Sequence, residues 1–176
     1  MVGGSGTPLN QAAVAVPAFD HAAALYALLQ SVADPEIPVV SIVDLGIVRA
    51  ASEAEVVITP TYSGCPAMGA IETQVRATLD AAGYTHTRIR TTLAPAWTTD
   101  WMTAAAHAAL RDYGIAPPLH RADARNEGRQ VTPLFPQCPQ CGSRHTERLS
   151  QFGSTACKAL YRCCACREPF DYFKPL

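Results

Sequence analysis

The chain has 176 residues, 48% of them hydrophobic and 16% charged, with a formal net charge of −1. That length suits one ordinary domain or a domain with a small appendage, and that apolar content excludes disorder as the governing state. A nearly neutral chain has no global positive field for a nucleic-acid backbone or an anionic membrane, so neither is expected as a partner.

Residues 1–18 are rich in Gly, Ala and Pro and are expected to be flexible. They lack the positive n-region of a secretory signal, and no apolar run approaches the roughly 18 residues that span a bilayer. The expected location is the cytoplasm. Disulfides are rare there, so the seven cysteines point to thiol or metal chemistry.

Asp20 can cap a helix that carries Leu25, Leu28, Leu29 and Val32 on one face. "ADPEIP" stops it, because the residue before Pro35 is pushed out of the helical region. A strand over roughly 46–51 and a second in "EVVITPTY" read as a hairpin turning near Ser52–Glu53. Pro60 fits an edge or a strand end. Met68, Ile71, Val75, Leu79 and Ala82 recur at helical spacing, with Gly83 as the stop. "HTRIRTTL" is a third strand. "TTDWMTAAAHAALRDYG" is a third helix, capped near Thr99 or Asp100, with Met102, Ala105, Ala106, Ala109 and Leu110 on one face. The order α-β-β-α-β-α predicts an α+β domain over 19–115 with a small three-stranded mixed sheet packed with helices.

Residues 116–133 are polar and mixed in charge and read as a linker. Residues 134–176 hold six of the seven cysteines. Cys138-x2-Cys141 and Cys163-x2-Cys166 have the spacing of a four-cysteine zinc ribbon, a small β module. Each knuckle converges two thiolates, and two knuckles complete a tetrahedron. A segment this short needs a staple, and structural zinc supplies about 10–16 kcal/mol in small modules. Zinc is the expected ion, in a closed structural site; four thiolates also suit a single iron. His145 is not needed as a ligand. Cys164 reads as a spare beside Cys163. Cys157 reads as a small buried hydrophobe in a strand pair, with a role as an extra thiol for a transferred metal as the alternative.

The seventh cysteine stands alone in "TPTYSGCPAMGAIE". Pro66 suits the first helical position, which puts Cys65 at or beside a helix N-cap. Free N–H groups there favour thiolate and are expected to lower the thiol pKa. Thr59, Thr61, Tyr62 and Ser63 could hydrogen-bond a bound ligand. The alternative is a loop cysteine that only packs. A single thiol holds no cluster, and Asp34 and Asp44 are the nearest further ligands by motif, with turn or capping roles as the plainer reading.

Two stretches carry a resemblance. Asp34-Pro35-Glu36, Asp44-Leu45-Gly46, then Thr59, Thr61, Cys65 and Pro66 resemble the DPE…DLG…T-x-T-x3-C-P pattern of the small iron–sulfur assembly domain (SufT-like, MIP-type). "FGSTACKALYRC" through "REPFDYFK", with "APAWTTDWMT", is similar to the PaaD family of the bacterial phenylacetyl-CoA epoxidase system. The resemblance implies an accessory or maturation subunit in aerobic phenylacetate breakdown. Such a subunit assembles or delivers a transient iron–sulfur cluster to a partner such as the reductase subunit, with Cys65, Asp34 and Thr61 as the transfer site. The other epoxidase subunits are its implied partners. The chain has neither the E-x-x-H helical pair of a di-iron oxygenase nor a glycine-rich phosphate loop for flavin or nicotinamide, so no catalytic residue is expected. A homodimer pairing Cys65 with its counterpart would let a cluster bridge two chains.

Three other readings compete. A docking protein of the same oxygenase complex would grip a partner through the ribbon and leave Cys65 inert. A nucleic-acid-binding ribbon would use Arg121, Arg125 and Arg129, but Asp123 and Glu127 interrupt that stripe. A cysteine-nucleophile enzyme would need His86 or His107 beside Cys65, and no spacing pairs them.

Overall fold

The structure is a computed structural model that describes residues 21–118 and 135–175. Asp20, the expected flexible N-terminus and residues 119–133 of the expected linker lie outside the described residues.

The first helix, α1, spans His21–Leu29 and buries Leu25 and Leu29 completely. The chain then turns over residues 30–47. Asp34 Oδ1 accepts the N–H groups of Glu36 at 2.8 Å and Ile37 at 2.9 Å, which closes the turn that Pro35 begins. Asp44 ties this segment to distant ones: its carboxylate accepts from Ser41 Oγ at 2.9 Å, from Thr103 Oγ1 at 2.8 Å and from the Gln30 amide. Gly46 has φ +72°, where a Cβ would sit 2.6 Å from the Trp101 carbonyl oxygen. Only glycine allows both the left-handed backbone and that approach.

Strands β1 (Val48–Ala51) and β2 (Glu55–Ile58) form the expected hairpin. Its turn is held by Ser52, whose Oγ accepts the Glu55 N–H at 3.1 Å. The strand stops at Ile58, before Pro60, which has no N–H for a ladder. Helix α2 (Met68–Ala81) buries Ile71, Val75 and Leu79, while Ala82 lies beyond it and is exposed. It crosses back to β3 (Arg88–Thr91), which pairs parallel with β2. The result is a three-stranded mixed sheet in the order β1-β2-β3. Arg76 on α2 fastens the crossover by donating to the carbonyls of Thr87 at 2.6 Å and Tyr84 at 2.7 Å.

The third helix begins later than expected. Thr98 caps only a short 3-10 turn, Thr99–Trp101, and α3 spans Ala104–Asp112 with Thr103 as its cap. Trp97 explains the break: its indole N–H bonds to the Leu45 carbonyl at 2.9 Å, which holds the turn against the segment after Asp44. Ala106, His107 and Leu110 are buried, whereas Ala105 is exposed.

The chain passes directly from α3 into β4 (Ile115–Ala116), so a strand lies at the expected end of the front domain. Strand β4 pairs parallel with β7 (Pro169–Phe173), and β7 with β6 (Lys158–Cys163) and β5 (Thr146–Ser150) completes a second sheet in the order β4-β7-β6-β5. The fold is therefore α+β with a C-terminal β ribbon. The two parts share a core. Cys157 and Phe173 of the ribbon belong to the cluster built on Leu25, Ile58, Ile71 and Leu110. The Phe173 ring meets Trp97 edge-on at 6.0 Å. Full burial of such side chains contributes about 1.5–3 kcal/mol each. No helix among the described residues is long and apolar enough to cross a membrane.

Candidate functional site

Two groups of cysteines occupy different parts of the molecule. The sulfurs of Cys138, Cys141, Cys163 and Cys166 all lie within 4.8 Å of one another, with Cys138–Cys166 at 3.8 Å and Cys141–Cys163 at 3.5 Å. A tetrahedral zinc with bonds near 2.3 Å has sulfur–sulfur edges of about 3.8 Å, so the set fits such an ion. The two knuckles are built alike. Gly142 after Cys141 has φ 73° and Arg167 after Cys166 has φ 70°. Gly142 N–H returns to the Cys138 carbonyl at 2.9 Å, and Arg167 N–H to the Cys163 carbonyl at 3.0 Å. The Cys166 amide points at the Cys163 sulfur, 3.5 Å away, and pulls that thiol down to about 6. N–H groups aimed at sulfur stabilise thiolate, the form that binds metal. His145 is exposed, and its carbonyl accepts the Cys164 N–H at 2.8 Å. Neither residue belongs to the four-sulfur group.

Cys65 is half-buried against the core that the two parts share. Its expected place beside a helix cap shifts: α2 starts at Met68 with Ala67 as its N-cap, and Cys65 ends the turn before it. The expected lowering of its pKa is corrected as well. Burial pushes the Cys65 thiol up, against a bond from the Ala67 N–H, and the charges of Glu36, Asp34 and Cys157 add to the rise. Desolvation, with the Glu36 and Asp34 carboxyl groups adding to it, outweighs one helix-end N–H.

Asp34 is 7% exposed. Burial raises its pKa, opposed by the two turn N–H bonds and by the Lys158 ammonium. Glu36 is also pushed up by burial and by Asp34. Thr61 is buried, and the hydroxyl of buried Thr59 has no hydrogen-bond partner among the described residues. Asp44 spends its oxygens on Gln30, Ser41 and Thr103, as the plainer reading of that residue has it.

No spacing along the chain links Cys157 and Lys158 to the site. Cys157 is buried in the front core, and its sulfur lies 3.0 Å from the Thr155 hydroxyl. Burial pushes its thiol up. Lys158 is 4% exposed, and its ammonium sits 3.6 Å from Asp171. The stretch "TACKAL" contains both residues, and the contact between ribbon and front domain carries Cys157 into the front core. A cleft of about 150 Å³ beside the Cys138 knuckle is lined by Arg111, Phe135, Arg144 and Tyr172, and none of Cys65, Asp34 or Thr61 borders it.

Two family models match the chain. One is described as an iron–sulfur cluster assembly protein, over residues 22–89, and the other as a PaaD zinc beta ribbon domain, over residues 122–174. The chain is thus an iron–sulfur-assembly-type α+β domain that carries a cysteine zinc ribbon. It is 49% identical over 155 residues to an Escherichia coli (strain K12) protein provisionally named as the D component of 1,2-phenylacetyl-CoA epoxidase; the match spans 85% of this chain and 90% of that one. It belongs to the PaaD family of phenylacetyl-CoA epoxidase components.

Among solved structures, a DUF59 domain of unknown function from Bacillus anthracis aligns at 32% identity over 51% of this chain and 91% of its own, with a TM-score of 0.46. A conserved hypothetical protein from Thermotoga maritima aligns at 22% identity over 48% and 87%, with a TM-score of 0.42.

Proposed function

We propose that the chain is an accessory subunit of a phenylacetyl-CoA epoxidase system, acting in the cytoplasm in aerobic phenylacetate degradation. It assembles an iron–sulfur cluster or delivers it to a partner such as the reductase subunit. The observation that carries this reading is the setting of Cys65. The one cysteine of the assembly-type domain is half-buried among Asp34, Glu36 and Tyr62 rather than in a purely apolar core.

The chemistry suits release as well as binding. The cluster is cargo. It binds as the Cys65 thiol gives up its proton to solvent and the sulfur bonds iron. It leaves as a recipient thiolate takes over that iron and Cys65 takes a proton back. Burial and neighbouring carboxylates that favour the protonated thiol make the second step easy. Thr61 and Asp34 border the cargo, and Asp34 also keeps its turn closed. Cys138, Cys141, Cys163 and Cys166 hold zinc as a closed structural site, which folds the ribbon and performs no chemistry.

A second reading is a non-catalytic docking role in the same complex. The raised Cys65 thiol favours it, because a protonated thiol is a poor ligand at neutral pH. Iron, acid-labile sulfide and zinc measured in anaerobically purified wild type and Cys65→Ala separate the two. One zinc per chain in both, with iron and sulfide in the wild type alone, supports cluster assembly. Zinc alone in both, even after reconstitution, moves the assignment to docking.

A further inference from the structure

We propose that the cleft between the end of α3 and the Cys138 knuckle binds a small carboxylate with an aromatic body, its oxyanion held by Arg111 and Arg144. The site is separate from Cys65 and does not depend on the assembly reading.

Both parts of the chain build this cleft. Arg111 stands in the last turn of α3, and the chain then runs through Gly114 into β4. The register of β4 on β7 sets Ala116 opposite Tyr172, which brings Pro117 and Tyr172 to the same cleft. The segment that enters the ribbon supplies the rest of the lining, from Phe135 to Arg144. It is fixed from two sides. The Thr146 hydroxyl donates to the Pro136 carbonyl at 2.9 Å, and the Gln137 amide donates to the Gly142 carbonyl at 2.8 Å. The Tyr172 ring meets Tyr161 edge-on, with centroids 5.6 Å apart. Walls held in place before binding lower the cost of ordering a ligand.

The lining is charged in one sense only. Arg111 and Arg144 border the cleft, and no carboxylate does. Arg76, Arg90 and Arg162 each pair with a carboxylate, of Asp80, Glu55 and Glu147. Arg111 and Arg144 form no ion pair among the described residues. Two free guanidinium forks on one cleft suit the paired oxygens of a carboxylate. Tyr172 is 4% exposed, yet its hydroxyl has no hydrogen-bond partner among the described residues. A buried donor left unpaired is costly, and an oxyanion seated here brings an acceptor to a wall that lacks one. The remaining surface is apolar, from Phe135, Pro117, Pro136 and Pro139, and the Phe135 ring is 57% exposed. A ligand ring covers that surface, whereas inorganic phosphate has no apolar body to do so. The volume of about 150 Å³ is that of a cavity that takes up one benzene ring.

Isothermal titration calorimetry on the full-length chain tests this, with phenylacetate as the probe and acetate and inorganic phosphate beside it. The variants are Arg111→Gln and Arg144→Gln, both at exposed positions, and Tyr172→Phe. Phenylacetate is expected to bind the wild type more tightly than acetate or phosphate does. Either arginine variant should bind it about tenfold or more weakly, and Tyr172→Phe should also bind it less well, with far-UV circular dichroism unchanged in all three. Phosphate binding as tight as that of phenylacetate overturns the assignment to an aromatic carboxylate. Wild-type affinity in both arginine variants, or no heat from phenylacetate up to about 10 mM, overturns the site itself. Should an arginine variant fail to fold, amide NMR shifts of the wild type during the titration decide. Shifts centred on Gly142, Arg144 and Tyr172 support the cleft, and shifts confined to other residues overturn it.

Discussion

Gly46 and Tyr172 show how much a single position can carry. At Gly46 the left-handed backbone and the contact with Trp101 exclude any side chain. A left-handed non-glycine residue costs roughly 1–2 kcal/mol before any clash, so Gly46→Ala is expected to lose about 3 kcal/mol or more in urea denaturation. Tyr172 is buried, and its hydroxyl has no hydrogen-bond partner among the described residues. Burial, with Tyr161 adding to it, pushes its pKa from 10.0 up to about 12. The folded state therefore keeps this proton longer than the unfolded chain. Its contribution to stability is whole below pH 10 and is lost as pH rises through about 12. Tyr172→Phe removes both the orphaned hydroxyl and the titration. It should gain about 1 kcal/mol at neutral pH and lose less stability near pH 11 than the wild type. Equal alkaline slopes for the two proteins would show that Tyr172 does not titrate in this way.

At the scale of elements, α3 depends on a residue that does two jobs. Thr103 Oγ1 accepts the Ala106 N–H at 3.1 Å and donates to Asp44 at 2.8 Å, and its own N–H bonds the Asp44 carbonyl at 2.9 Å. The cap thus joins the third helix to the Asp44-Leu45-Gly46 turn. Thr103→Ala is expected to cost about 1–2 kcal/mol, and Thr103→Ser should restore most of it. Thermal unfolding of the two variants checks this. Full stability in Thr103→Ala would mean that the helix is capped in another way.

The whole molecule is organised by the seam between front domain and ribbon. Strand β4 connects α3 to the ribbon sheet, and Phe173 fills the front core. Phe173→Ala is expected to cost about 3–5 kcal/mol, the range for a buried aromatic. It should lower the melting of both parts, because Trp97 in the front domain is its partner. Stripping metal from the four ribbon cysteines should do the same, since the ribbon's order sustains the seam. Tryptophan fluorescence during melting, with and without chelator, reads this out. A tryptophan transition that ignores the chelator would show that the two parts unfold separately.

Local pattern determined much of this protein. Apolar residues at helical spacing marked α1 and α2, and the polar pair Ser52–Glu53 between two apolar runs marked the hairpin. The two C-x2-C knuckles marked four cysteines whose sulfurs lie within 4.8 Å of one another in the structure, because each knuckle is a short-range device whose geometry follows from its own spacing. What only the tertiary structure decided was non-local. The start of α3 moved to Ala104, capped by Thr103, because Trp97 is held by Leu45, a residue no helical pattern connects to it. The Cys65 thiol rose rather than fell because burial and the charges of Glu36 and Asp34 outweigh a neighbouring N–H. Cys157 meets Thr155 and Lys158 pairs with Asp171 inside the ribbon, but only the contact between the two parts carries Cys157 into the front core. Spacing along a chain encodes which groups turn towards each other within a few residues. Desolvation and long-range charge depend on what else folds against them.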